Sequence, residues 1–158
     1  MTGHVAHGDC EEIRPGWIGQ PSNTVTSLAF LLAARPLWRA SRRPGGHAWA
    51  AVAAAAAIEG IGSVGYHGPG GRGSKLIHDA GLVALVATTA SALVFDPQAR
   101  LRPRAIGLGA AAIALHTLSR TGGPLCSCHS PLQGHALFHL LAAAALASTP
   151  PRQDNSAR

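Results

Sequence analysis

Apolar positions fall along the chain in five runs, about 22–37, 47–66, 76–95, 105–118 and 132–147, divided by short polar or arginine-bearing segments. A helix crosses the hydrocarbon core of a bilayer with about 20 apolar residues, within a range of roughly 17–25. Four of the runs approach that length, and the fourth in order is short. Their interiors are mostly Ala, Leu, Val and Gly. Small residues of this kind let helix backbones approach closely in lipid. The pattern predicts an all-α fold: a polytopic membrane helix bundle of about five transmembrane helices. Residues 1–150 form its single domain, with 1–20 as an outer N-terminal segment, and 151–158 form a polar cytoplasmic tail.

Charge placement refines this. Only 13% of the 158 residues are charged while 47% are hydrophobic, about half the charged fraction of an ordinary soluble domain. The net charge of +6 could suggest nucleic acid, but the arginines lie between apolar runs and no nucleic-acid partner is expected. With five spans, Arg35, Arg39, Arg42, Arg43, Arg100, Arg102, Arg104, Arg152 and Arg158 share one side, against Arg14, Arg72, Lys75 and Arg120 on the other. The positive-inside rule then puts the N-terminus outside and the C-terminus in the cytoplasm. The start "MTGHVAHGDCEE" is polar and acidic, so targeting is expected to rest on the first span. Cys10, Cys126 and Cys128 all fall on the outer, oxidising side, where Cys10 is expected to pair with Cys126 or Cys128.

The stretch "GIGSVGYHGPGGRGSKLIHD" superficially resembles a phosphate loop. Ser74 and Lys75 stand in the wrong order for one, and no strand precedes them. Its glycines are read as a tight return between spans. Glu59, Ser63 and His67 follow at i, i+4 and i+8, on one helical face. Asp79 opens the third span at the same depth. In "HALFH", His135 and His139 lie one turn apart near the same membrane face. Ionisable groups in spans usually face the bundle interior and mark function. Three histidines on two helices can supply three nitrogens to zinc, leaving a fourth position for water. No glutamate lies between His135 and His139, so a general base must come from elsewhere, and Asp79 is the expected one. Ser63 is expected to hydrogen-bond the reacting oxygen. His116 is read as packing or as a further site group beside Glu59. His4, His7, His47, His78 and His129 are read as surface or interfacial.

These patches resemble the alkaline ceramidase family, within the membrane hydrolases that include the adiponectin and progestin receptors. "DCEE" with "QPSNTVTSLAF", then "GIGSVGYH" with Asp79, then "HALFH" follow the family's order. The resemblance implies zinc on His67, His135 and His139, catalysis by Asp79 with support from Ser63, and hydrolysis of the amide bond in a ceramide-like N-acyl lipid. It departs in two respects. Two central helices of the family's seven are missing, so the acyl pocket is expected to be open, smaller or completed by a second copy in a homo-oligomer. Of the family's N-terminal calcium ligands only Asp9 and Glu11 remain, the tryptophan is absent and Gln20 replaces a glutamate, so at most a weak calcium site is expected. The Ala, Gly and Arg bias points to a bacterial cytoplasmic membrane, with the site near its outer face. The alternatives are a non-enzymatic membrane protein that keeps a structural or sensory metal, and a bis-histidine haem protein using His116.

Overall fold

A computed structural model describes residues 3–151. It contains five helices and, among the described residues, no strand: α1 (Pro21–Ser41), α2 (Ala48–His67), α3 (Arg72–Phe95), α4 (Pro103–Leu118) and α5 (Gly134–Ser148). Of these, α2 and α3 are long and apolar enough to cross a membrane. The other three fall short for different reasons. Serine, threonine, asparagine and arginine lower the hydropathy of the 21-residue α1, while α4 and α5 have 16 and 15 residues.

Two boundaries differ from the apolar pattern. α1 continues through Pro36 to Ser41, because a proline removes one backbone hydrogen bond without having to end a helix already held on both sides. α3 starts at Arg72, four residues before the apolar run, so the return after His67 is only 68–71. Gly70 makes it with φ +69°, a backbone conformation that glycine adopts without a Cβ clash. The polar "RGSK" is therefore the first turn of α3, and Asp79 lies two turns inside the helix.

The helices pack in the order α3–α2–α1–α5–α4. Among the described residues α3 and α4, at the two ends of this row, do not pack on each other. The core under the row is alanine-rich, with Phe30, Leu37 and Trp49 as its largest members. α3 is thinly covered: only Gly81, Leu85 and Ala92 are buried, and Leu76, Val83, Val86, Val94 and Phe95 are exposed. At the arginine-bearing end the Asp96 carboxylate is buried and accepts bonds from Arg43 and from Trp49 Nε1, which ties the α1–α2 turn to the end of α3.

At the other end the N-terminal segment is a strap. Its backbone pairs with the α2–α3 return through Val5 N–H to Gly70 O (3.0 Å) and Gly19 N–H to Gly68 O (2.9 Å). It pairs with the α4–α5 connection through Glu12 N–H to Cys128 O (3.1 Å) and Thr121 N–H to Gly8 O (3.0 Å). Cys10 is disulfide-bonded to Cys126, and Cys128 is an exposed free thiol. The strap also caps α1, since the Glu11 carboxylate accepts the N–H groups of Ser22 (2.7 Å) and Asn23 (2.8 Å). A helix N-terminus leaves those donors without intrahelical partners, and a carboxylate there also offsets the helix dipole.

The α2–α3 contact depends on missing side chains. A Cβ on Gly62 would lie 2.6 Å from the backbone nitrogen of His78. Gly62→Ala is therefore expected to force the helices apart and cost about 1–3 kcal/mol. Gly73→Ala, where a Cβ meets nothing, should be neutral or slightly stabilising. Thermal unfolding in detergent checks both, and equal melting of the two variants would contradict the packing.

Candidate metal centre

His67 ends α2, while His135 and His139 lie one turn apart at the start of α5. The α2 and α5 backbones do not pack directly, so these side chains meet across the interior between them. Ring centroids are 5.1 Å apart for His67–His135, 5.2 Å for His67–His139 and 4.6 Å for His135–His139. All three residues are buried, and one nitrogen from each lies within 4.8 Å of the others.

Hydrogen bonds fix which nitrogens are free. Gln20 donates its Nε2 hydrogens to the carbonyls of Ala6 (2.9 Å) and Glu11 (2.8 Å). Its Oε1 must then accept, and it lies 2.7 Å from His67 Nδ1. The proton of His67 is thus on Nδ1, and Nε2 is a buried lone pair without a partner. Thr26 donates its hydroxyl to the Ser22 carbonyl (2.8 Å), leaving its oxygen to accept from His139 Nδ1 at 3.1 Å. That again leaves Nε2 as the bare nitrogen of His139. Neither nitrogen of buried His135 has a hydrogen bond; the nearest charge is the Asp9 carboxylate, 3.6 Å from Nδ1. Imidazoles with a bare nitrogen on each ring, two of them anchored at Nδ1, form a donor set suited to zinc or a similar ion. Three such ligands leave a coordination position open.

A cavity of about 500 Å³ adjoins His135, between the two unpacked helices. Asp9, Glu59, Tyr66, His78, Asp79 and Arg120 are among its lining residues. Asp79 is half-exposed there and paired with Lys75 one turn away. Glu59 is buried, with one oxygen 3.3 Å from His78 Nδ1. Ser63 is also buried, but its hydroxyl bonds to Ser27 (2.8 Å), which itself donates to the Asn23 carbonyl. Ser63 therefore spends its proton locking α2 to α1 one turn before His67. The His116 ring packs against His135 at 5.3 Å and against Phe138 at 4.8 Å.

Other expectations shift in position. Asp9 and Glu11 do not converge: Glu11 caps α1 while Asp9 faces His135. Among the described residues the two groups with metal-ligand spacing are the three histidines and the three cysteines, and the disulfide occupies two of the latter. His78 is no interfacial residue; its side chain is 14% exposed and points to Glu59. Gln20 and Thr26, which orient two of the histidines, carried no signal of their own, because their role depends on partners 47 and 113 residues away.

Thr26→Val keeps the shape of the side chain but removes the hydroxyl beside His139 Nδ1, leaving the Asn23 backbone as that ring's partner. It should weaken metal binding about 10–100-fold, with Thr26→Ser close to wild type. Chelator competition reads this, and equal affinity in Thr26→Val would show that His139 is not oriented in this way. Comparison of the chain with protein-family models, with characterised proteins and with solved structures finds no match, so the site itself carries the functional argument.

Proposed function

We propose that the protein is a zinc-dependent hydrolase of the lipid bilayer that cleaves the amide bond of an N-acyl lipid. The observation that carries this reading is the buried histidine triad, with bare inward nitrogens, beside a cavity that also holds a half-exposed carboxylate. Zinc bound there would lower the pKa of a water towards ~7 and polarise a carbonyl. The chain's own groups supply the rest. Asp79 lines the cavity with Lys75 one turn away, and in this reading it takes the proton of the attacking water and returns one to the leaving amine. The Asp9 carboxylate lies against His135, and Ser63 positions the last turn of α2 that carries His67.

The bilayer setting is supported by the exposed apolar side chains of α3 and by two helices of spanning length. In this setting all five helices cross, α1 and the short α4 and α5 included, with the triad end outward. The Cys10–Cys126 disulfide supports that orientation, because such bonds persist on the oxidising side of a membrane. The unpacked α3–α4 side gives a lipid a lateral route to the cavity.

The test is release of fatty acid from N-acyl amides by the zinc-loaded protein. Asp79→Asn should lower turnover about 10²–10⁴-fold while keeping its zinc, whereas Asp9→Asn should lose zinc affinity first. Full turnover in Asp79→Asn would remove it as the base. Stoichiometric zinc with no cleavage of any N-acyl lipid would instead favour a structural or sensory metal.

A further inference from the structure

A second cavity, of about 450 Å³, lies at the opposite end of the bundle from the histidines, where α1 and α5 end and α4 begins. Three arginines from two elements line it: Arg39 from the last turn of α1, and Arg102 and Arg104 from the start of α4. Ser148 adds a hydroxyl, and Pro36, Ala40 and Ala147 add apolar walls. Guanidinium groups match phosphate oxygens in geometry as well as charge. The N-terminus of α4 adds its partial positive charge on the same side.

Apolar surface continues from this cavity along the bundle. At Ala147 it meets a groove of about 230 Å³ between α1 and α5, lined only by apolar residues, with Leu32, Ala143 and Ala144 among them. That groove meets a further cavity at Leu140, which continues past Leu137 to Pro131. From Ala147 to Leu137 the path follows ten residues of α5, about 15 Å of helix at ~1.5 Å per residue. A basic pocket continuing into a long, mostly apolar surface groove has the two chemistries of a phospholipid, joined in the right order.

We propose that this pocket and groove bind an anionic membrane phospholipid, its phosphodiester held by Arg102 and Arg104 at the start of α4 and one acyl chain lying along the α1–α5 groove. Basic pockets between helices on the cytoplasmic side of a membrane are where anionic headgroups collect. The groove is what selects a lipid over free phosphate. The proposal requires the bundle to sit in a bilayer but not to hydrolyse anything, so it stands or falls separately from the amide-cleavage reading.

The experiment is lipid binding by delipidated protein in detergent, read by native mass spectrometry and by thermal unfolding. The probes are phosphatidylglycerol, phosphatidylcholine with the same acyl chains, and inorganic phosphate. Phosphatidylglycerol should be retained and raise the melting temperature, phosphatidylcholine should bind far more weakly, and inorganic phosphate should leave the melt unchanged. An arginine near the headgroup contributes about fivefold in affinity, so Arg102→Gln with Arg104→Gln should weaken phosphatidylglycerol binding about 30-fold. The zinc content of that variant should match wild type. Equal binding of the two lipids, stabilisation by phosphate alone, or a folded double variant that binds as before would each overturn the proposal. If the variant does not fold, the three probes on wild type decide it.

Discussion

The constraint on which the metal end of the bundle depends is the burial of bare imidazole nitrogens. His67 Nε2 and both nitrogens of His135 are enclosed without a hydrogen-bond partner. Each unsatisfied buried polar atom costs roughly 1–3 kcal/mol, and three together would be a substantial fraction of a small protein's stability. A divalent ion would take His67 Nε2 and one nitrogen of His135, removing most of that cost, and would link α2 to α5, which have no direct packing. The same burial that penalises the metal-free site would make it selective for an ion that tolerates three nitrogens and little water.

The strap of residues before α1 makes this arrangement specific. It is fixed by the disulfide at Cys10, by backbone pairing with both neighbouring loops and by the Glu11 cap. Cys10 itself sits at φ +66°, a region non-glycine residues rarely occupy; its N–H bonds to Thr121 (3.1 Å), and the disulfide holds its side chain. Through Gln20 the strap sets the tautomer of His67, and through Asp9 it faces His135. An acidic segment with little apolar content therefore acts as the outer support of the site. Asp9 and Glu11, the two of its three acidic residues expected as weak calcium ligands, are committed to a histidine and to the α1 cap.

The helices were legible because burial and lipid exposure both demand apolar runs, and the runs map onto all five helices. Their ends were less legible. α1 runs on to Ser41, four residues past the apolar run, and "RGSK" lies inside α3, where tertiary contacts outweigh local preference. His67, His135 and His139 could be grouped because helical spacing and alternation of spans bring them to one depth. Gln20, Thr26 and the Glu59–His78 pair could not, since each relation joins residues distant in sequence through a side-chain orientation that periodicity does not encode. Ser63 was correctly placed on the face of His67, yet its hydroxyl turns to Ser27, a partner visible only once α1 and α2 are docked.

The central claim is that the three histidines hold one metal ion through their inward nitrogens. X-ray absorption at the zinc edge, on protein purified in detergent with its metal content quantified, tests it most directly. The account predicts one zinc per chain with three imidazole nitrogens at about 2.0–2.1 Å, one oxygen and no sulfur. A sulfur shell would move the metal to the cysteines, and folded protein that takes up no zinc would contradict the account.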